Sequence, residues 1–252
     1  MKLTFLGTGT SMGVPIAGGF GRENIKPDPR NTRWRCSAWL QTEDTSIVID
    51  TGPEFRLQTL RAGISHIDLV LITHEHMDHI AGLDDLRPFC YKQDQHMPVY
   101  STKESIQAIR RRFDYMFGSD RYPGAAVLDL REMNEPISFQ DATITPLPAT
   151  HGDVDVLGFR INALSYFSDV KTIPPETKER IKGSKVLVLD GLRWKPDHPT
   201  HLTIPQAVEL AEELDIPQTY LIHMNGFVDH AESNKRLPDH VQLAYDQLTV
   251  TV

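Results

Sequence analysis

The sequence has little of what marks a secreted disulfide scaffold, a membrane protein or a nucleic-acid binder. Only two of its 252 residues are cysteines, Cys36 and Cys90, which is too few for a disulfide framework and predicts reduced thiols in a cytoplasmic protein. No apolar run approaches the ~20 residues of a membrane span, and the apolar start of the chain is too short for a signal peptide. The net charge of −8 argues against nucleic acid as a partner, because phosphate backbones require a basic face.

Short apolar runs rich in β-branched residues recur along the chain and predict strands. These runs are residues 2–6, 46–50, 68–73, 98–101, 142–147, 158–163, 164–168, 185–189, 218–222, 241–245 and 248–252. Helical periodicity occurs at residues 54–62, 103–113, 175–182 and 204–214. No repeat or linker divides the sequence, so we expect one α/β domain over residues 1–252, in which the Gly- and Pro-rich segment 13–35 forms a long ordered loop.

Residues 74–79, His-Glu-His-Met-Asp-His, follow a predicted buried strand and contain four potential metal ligands. Side chains two apart in an extended segment point the same way, so His74 and His76 can converge on one point. Asp78 and His79 lie where the chain turns toward a helix expected at residues 80–87, and they can serve a second point beside the first. Imidazole and carboxylate groups suit a borderline divalent ion.

Three later strand-like runs also lead directly into a potential ligand. Residues 143–150 precede His151, residues 164–168 precede Asp169, and residues 219–222 precede His223. This repeated arrangement predicts that the ligands gather at one edge of a sheet.

With these residues in view, the sequence resembles the metallo-β-lactamase superfamily, whose signature Thr-His-x-His-x-Asp-His occupies residues 73–79. Within the superfamily it looks like the PhnP-like phosphodiesterase branch, a cousin of ribonuclease Z. The opening Phe-Leu-Gly-Thr-Gly-Thr-Ser-Met-Gly-Val-Pro at residues 5–15 is similar to that branch. The other matching segments are residues 29–33, 49–53, 199–203 and 243–246.

The resemblance implies a four-layer αββα sandwich with a dinuclear site at one edge of two sheets. It implies one metal on His74, His76 and His151, and a second on Asp78, His79 and His223, with Asp169 bridging both. Two ions ~3.5–4 Å apart would share a bridging hydroxide as the nucleophile and neutralise charge on a phosphoryl group.

The resemblance also implies a catalytic set of His201, Asp78 and Asp50. In this branch the residue matching His201 acts as a general acid or hydrogen-bond donor to the leaving oxygen, which commonly contributes ~10²–10⁴-fold. Asp50 is expected to orient a ligand from behind, as metal-bound imidazoles require, and Asp190 is a further candidate for that task. The remaining histidines, His198 among them, lack the strand-end context and are interpreted as surface or supporting residues.

The sequence departs from the branch at the ligands of an extra structural zinc. Many PhnP-like chains carry cysteines and a histidine at the positions that are Gly19, Gly21 and Gly226 here. We therefore expect no separate structural zinc, and we expect other contacts to order the loop 13–35.

The sequence predicts a metal-dependent hydrolase of a small phosphodiester, such as a cyclic phosphate or a nucleotide. Two alternatives stay open within the superfamily: a thioester or lactone hydrolase, and a tRNA 3′-processing endonuclease, for which no basic RNA-binding arm is evident. A non-enzymatic sensing role is a third. Two divalent ions are expected, and the ligands accept Zn²⁺, Mn²⁺ or Fe²⁺. The oligomeric state is open, with a homodimer as one option.

Overall fold

A computed structural model describes residues 1–119 and 121–252, and these residues form fourteen strands and seven α-helices. The strands are β1 Lys2–Gly7, β2 Ser37–Gln41, β3 Ser46–Ile49, β4 Leu69–Leu71, β5 Met97–Ser101, β6 Leu128–Glu132, β7 Ile137–Phe139, β8 Ala142–His151, β9 Val154–Ile161, β10 Leu164–Tyr166, β11 Val186–Asp190, β12 Gln218–Ile222, β13 Val241–Leu243 and β14 Thr249–Thr251. The helices are α1 Phe55–Ala62, α2 Met77–Ile80, α3 Arg87–Gln93, α4 Lys103–Arg112, α5 Pro175–Ile181, α6 Ile204–Glu213 and α7 His230–Asn234.

The strands build two seven-stranded mixed sheets. The first has the order β14-β1-β2-β3-β4-β5-β6, and the second has the order β13-β12-β11-β10-β9-β8-β7. Strands β3 to β6 are parallel in the first sheet, as are β10 to β13 in the second. Each sheet is completed by antiparallel strands on the other side.

The hydrophobic core lies in three layers, which follow from the alternation of side chains along each strand. Ile47 and Ile49 of β3 face the second sheet, whereas Val48 between them packs under the helices of the first sheet. In β11, Val188 faces the first sheet, and Leu187 and Leu189 pack under the opposite helices with residues of α6. Helix, sheet, sheet and helix thus stack in that order, and the predicted αββα sandwich is confirmed.

The helix expected at residues 80–87 is wrong in its bounds. The chain instead forms α2, a 3-10 turn at Leu83–Leu86, and then α3 from Arg87. Gly82 lies at the break between α2 and the 3-10 turn and packs tightly on the loop after β3, where an added Cβ would lie 2.5 Å from the Gly52 carbonyl oxygen. Strands β2, β6 and β7 are additional to those predicted, since their sequences lack a clear β-branched run.

The parallel strands bring their carboxyl ends to one edge of the sandwich. Asp50 follows β3, Asp190 ends β11 and His223 follows β12. The neighbouring strands β11 and β12 are in register up to the pair Asp190 and Ile222, so Asp190 and His223 leave the sheet side by side. No helix in the described part of the chain combines the length and the apolarity that crossing a membrane requires.

Candidate metal centre

The structure brings all seven sequence-predicted ligands together at this edge, in two groups. His74, His76 and His151 form the first group, in which the candidate ligand atoms lie within 4.8 Å of one another. The second group meets the same limit and consists of Asp78, His79, Asp169 and His223. The first four ligands in the sequence come from the segment after β4, and the other three come from the second sheet.

Several polar atoms in the centre are buried without a hydrogen-bond partner. They include Nε2 of His79, Oδ1 of Asp169 and Nε2 of His223. Asp169 lies between the two rings, with Oδ1 3.3 Å from His79 Nε2 and Oδ2 3.2 Å from His223 Nε2. Buried polar atoms normally have partners, and a set of imidazole and carboxylate atoms facing one another without them fits divalent cations. The residues present therefore fit the metals that the resemblance implies.

Two side chains reach the centre from a left-handed backbone conformation. Asp50 has φ of 60° and His223 has φ of 59°, and each follows immediately after a strand. Positive φ is uncommon outside glycine and occurs at functional sites where the surroundings enforce it. Here it turns the chain sharply at the strand end and leaves both side chains fully buried.

Thr73 and Asp50 fix the orientation of two ligand rings. Asp50 Oδ2 accepts from His79 Nδ1 at 2.8 Å and from the Thr73 hydroxyl at 2.9 Å, while its Oδ1 accepts from the Thr73 amide at 2.8 Å. Because the Thr73 hydrogen goes to Asp50, its oxygen accepts from His74 Nδ1 at 3.0 Å. Both rings are thereby protonated on Nδ1, which leaves Nε2 of each to bind a metal.

His151 is oriented by a backbone carbonyl in the same way. Its Nδ1 lies 2.7 Å from the Thr200 oxygen, which can only accept, so Nδ1 carries the hydrogen and Nε2 is free. Gly152 follows with φ of 62°, and an added Cβ there would lie 2.6 Å from Thr200 Cγ2. The glycine therefore lets the turn that contains Thr200 pack closely against the centre.

His201 is held beside the ligands by Asp190. Asp190 Oδ2 accepts from His201 Nδ1 at 2.7 Å and from the Val170 amide at 3.1 Å. The His201 ring stacks on His223 with centroids 4.6 Å apart and lies 4.4 Å from His151. Two residues later, a capping box between Thr203 and Gln206 begins α6 and fixes the chain.

Burial and neighbouring charge shift the pKa values in the centre in different directions. Burial lowers the pKa of His74 well below its usual range, which favours the neutral form that binds metal. Burial alone would raise the pKa of Asp169, but His223 and His79 hold it well below its usual range. Burial raises the pKa of Asp190 well above its usual range, against the opposing effect of His223.

The loop 13–35 is held against the centre by a buried arginine. The Arg33 guanidinium donates to the Val228 carbonyl at 2.8 Å, to the Asn225 carbonyl at 3.3 Å and to Asn31 Oδ1 at 3.2 Å. Gly226 lies between those two carbonyls in sequence, and a Cβ there would lie 3.7 Å from Val14 Cγ1. Apolar packing and this arginine thus join the loop to the segment that follows His223.

Thr73 and Thr200 support the centre, although neither role was predicted from the sequence. Thr73 belongs to the signature segment, and its position next to His74 was the available signal for a supporting hydroxyl. Thr200 acts through its carbonyl oxygen, which every residue has, so no sequence pattern could have identified it. Asp190 was expected to orient a metal ligand, but its short contact is with His201, and its Oδ1 lies 3.7 Å from His223 Nδ1.

Comparison with known proteins gives a family and several relatives. A family model described as "Beta-lactamase superfamily domain" matches residues 45–224. An octanoyltransferase of Porphyromonas gingivalis is 38% identical over all of this chain and 52% of its own length. A ribonuclease Z of Bradyrhizobium diazoefficiens is 26% identical over 62% of this chain and 48% of its own length. The chain therefore spans about half the length of these two curated relatives.

Solved structures extend the comparison over the whole chain. The crystal structure of a diphosphatase from the PhnP family is 36% identical, with a TM-score of 0.91 over 100% of this chain and 97% of that one. Zinc-bound PqqB from Methylobacterium extorquens has a TM-score of 0.78 at 18% identity and covers 100% of both chains. At 18% identity, the similarity to PqqB shows the fold alone.

Proposed function

The chain belongs to the beta-lactamase superfamily and is a metal-dependent hydrolase of the metallo-β-lactamase fold, and from this premise we propose that it hydrolyses a small phosphodiester. The proposal includes two divalent cations per chain, one on His74, His76 and His151 and the other on Asp78, His79 and His223. Asp169 would serve both cations, because its carboxylate lies between the rings of the second group and also falls within a further cluster with His151 and His201.

The observation that carries this proposal is the position of His201. The ring lies 4.4 Å from the His151 ring, and Asp190 fixes its Nδ1–H, so Nε2 is the nitrogen left for the substrate. An alkoxide leaves readily only if it gains a proton as the ester bond breaks. A histidine held beside the metal ligands, but outside the two ligand groups, supports the cleavage of an ester with a poor leaving group.

Different residues of the chain have different roles in the proposed reaction. Metal ions, when bound, activate water and neutralise the charge that develops on a phosphoryl group. Asp50 and Thr73 keep the two ligand rings in the tautomers that bind through Nε2. His201 passes a proton from Nε2 to the leaving oxygen and regains it from water, and Asp190 stabilises the positively charged ring through Nδ1.

Chemistry at a phosphoryl group is supported by the relatives, and an ester with a poor leaving group is supported by His201. A PhnP-family diphosphatase is similar over the full chain, and ribonuclease Z, an enzyme with the same fold, is among the sequence relatives. A small substrate is favoured because the chain carries a net charge of −8, which opposes the binding of a long polyanion.

The test is hydrolysis of bis(4-nitrophenyl) phosphate by protein loaded with Mn²⁺ or Zn²⁺. We expect turnover that depends on the metal and is lost in Asp169→Asn, which removes the carboxylate between His79 and His223. The matched control is Asp94→Asn, because Asp94 is exposed at the end of α3 and its left-handed backbone suits asparagine. Silence of the metal-loaded wild-type protein would contradict the proposal.

A thioester hydrolase is the second candidate, and one observation favours it. The octanoyltransferase relative, whose name describes acyl chemistry, is 38% identical over the whole of this chain. Because this chain spans only 52% of that protein, the name describes a molecule about twice as long. Release of thiol from octanoyl-coenzyme A, measured with the same loaded protein and the same two variants, distinguishes the candidates.

A further inference from the structure

His198 lies at the rim of the metal centre, on the segment between β11 and α6. Its ring centroid is 5.0 Å from that of His201, which in turn lies 4.4 Å from His151. The His198 side chain is half-buried, so it borders both the centre and the solvent. Because His198 follows no predicted strand, it was expected to be a surface or supporting residue.

The hydrogen bonds of His198 define which nitrogen carries the hydrogen. Its Nδ1 lies 3.3 Å from the Thr200 amide nitrogen and 3.2 Å from the Thr200 hydroxyl. A backbone N–H can only donate, so Nδ1 is the acceptor and the neutral ring is protonated on Nε2. No hydrogen-bond partner for this Nε2–H is found among residues 1–119 and 121–252.

The neutral form of the ring is favoured by its surroundings. Burial lowers the pKa of His198, and the neighbouring charges of His201 and Arg193 lower it further. The ring therefore offers one oriented N–H donor at neutral pH.

Thr200 fixes the distance between His198 and the metal ligands. Its amide and hydroxyl hold His198 on one side, while its carbonyl accepts from His151 Nδ1 at 2.7 Å on the other. The close packing of Thr200 over Gly152 prevents this turn from moving toward the centre. Thr200 thus holds His198 beside His201, and His198 does not contact the proposed metal ligands itself.

We propose that His198 is a substrate-binding residue whose Nε2–H donates to an oxygen of the leaving group, next to the ester oxygen that His201 faces. This inference rests on the proposed phosphodiesterase function and narrows its substrate class. The favoured leaving group carries a second oxygen acceptor close to the ester oxygen, as the sugar of a ribose phosphate does. A plain aryl leaving group offers no such acceptor.

The experiment uses bis(4-nitrophenyl) phosphate as the reporter and adenosine 2′,3′-cyclic phosphate as the competitor, on the full metal-loaded chain. Loss of one neutral hydrogen bond corresponds to about a 3- to 10-fold change in binding. In His198→Phe we expect the ratio of the competitor's Ki to the reporter's KM to rise by that factor. His198→Gln, whose amide can reach the same place as Nε2–H, should restore the ratio to within twofold of wild type.

Two controls separate substrate binding from a structural role. His96→Phe changes an exposed histidine between α3 and β5 and should leave the ratio unchanged. Metal affinity, measured by competition with a chromogenic chelator, should be the same in wild type, His198→Phe and His198→Gln, because His198 is not a ligand in the proposed arrangement.

The outcomes also separate this inference from the proposed function. An unchanged ratio in His198→Phe, or a wild-type protein that turns over the reporter but is not inhibited by the cyclic phosphate, overturns the His198 contact alone. A fall in metal affinity in both His198 variants overturns it in favour of a structural role. Failure of the wild-type protein to hydrolyse the reporter overturns the phosphodiesterase function and the contact with it.

Discussion

Asp190 and His201 form a buried hydrogen-bonded pair in which Oδ2 of the carboxyl group accepts from Nδ1 of the ring at 2.7 Å. The carboxyl group is fully buried, and the Val170 amide donates to the same oxygen at 3.1 Å. The pair determines the tautomer of His201 and therefore which nitrogen faces the substrate. It joins β11 to the segment before α6, so it also ties the reactive ring to the sheet.

Asp190→Asn should lower kcat by about 100-fold, because the amide can no longer stabilise the positively charged ring and can hold it in the wrong tautomer. The measurement is steady-state hydrolysis of adenosine 2′,3′-cyclic phosphate, whose alkoxide leaving group needs the proton, with metal content determined on the same samples. A variant that binds both metals and retains wild-type kcat would remove Asp190 from the mechanism.

His201→Gln should affect substrates according to the basicity of their leaving group. A nitrophenolate departs without a proton, so the loss of kcat should be less than about 10-fold for bis(4-nitrophenyl) phosphate. For an alkoxide leaving group, such as that of a ribose cyclic phosphate, we expect a loss of ~10²–10⁴-fold. Equal losses on both substrates would show that His201 does not act as the acid.

Thr73→Val should weaken metal binding about 10- to 100-fold, because it removes the hydroxyl that joins Asp50 Oδ2 to His74 Nδ1. Thr73→Ser keeps the hydroxyl and should bind metal within a few-fold of wild type. Affinity is measured by chelator competition, which does not depend on activity. Equal affinities in the valine and serine variants would assign Thr73 to packing.

Arg33→Met should destabilise the loop 13–35, because the Val228 carbonyl would lose its donor and the Asn225 carbonyl would keep only the Val228 amide. Leaving buried acceptors unpaired costs ~1–3 kcal/mol, so cleavage within the loop by a protease such as thermolysin should accelerate. Arg22→Met is the matched control, since Arg22 is exposed in the same loop. Identical cleavage rates in the two variants would mean that apolar packing alone holds the loop.

Asp246 stabilises the folded protein more at low pH than at high pH. A carboxyl group whose pKa is lowered on folding, which is the usual case, does the opposite. Burial raises its pKa to about 6, although it accepts hydrogen bonds from the Trp34 amide and the Thr8 hydroxyl. The folded state therefore binds this proton more tightly than the unfolded state, and its contribution to stability falls as pH rises from about 4 to about 6.

Asp246→Asn should remove that dependence. Relative to the variant, the free energy of unfolding of the wild-type protein should fall by about 2 kcal/mol between pH 4.5 and pH 7. Urea unfolding curves of both proteins at the two pH values measure the difference. A wild-type protein whose stability changes with pH in parallel with the variant would contradict the raised pKa.

Much of the centre could be predicted because its ligands are side chains of distinctive type at strand ends. His74 and His76 lie two residues apart just after β4 and meet in one group, and His151, Asp169 and His223 each follow an apolar run. The contacts that orient the ligands were harder to predict, since they join residues far apart in sequence. The hydrogen bond between Asp50 and His79 is an example. Contacts made by backbone groups, such as the Thr200 carbonyl, cannot be predicted from residue type, because every residue has a carbonyl group.

The same reasoning explains which elements of the fold were missed. Strand β6 carries charged residues and pairs only at the edge of the first sheet, so its pattern is not that of a buried strand. At the break between α2 and α3, Gly82 closely approaches Gly52, which is a tertiary contact that the local sequence does not show. Strand pairing and close packing thus determine those element bounds that the local sequence pattern does not predict.

The division of the seven proposed ligands between the two sheets has a thermodynamic consequence. A cation that takes ligands from both sides cross-links the layers of the sandwich, so its binding free energy adds to the free energy of unfolding. At a free ion concentration a thousandfold above Kd this addition is about 4 kcal/mol, a large share of the stability of an ordinary domain. With the proposed cations bound, the amount of folded protein in a cell would be coupled to metal supply, and starvation for the ion would lower its abundance as well as its activity.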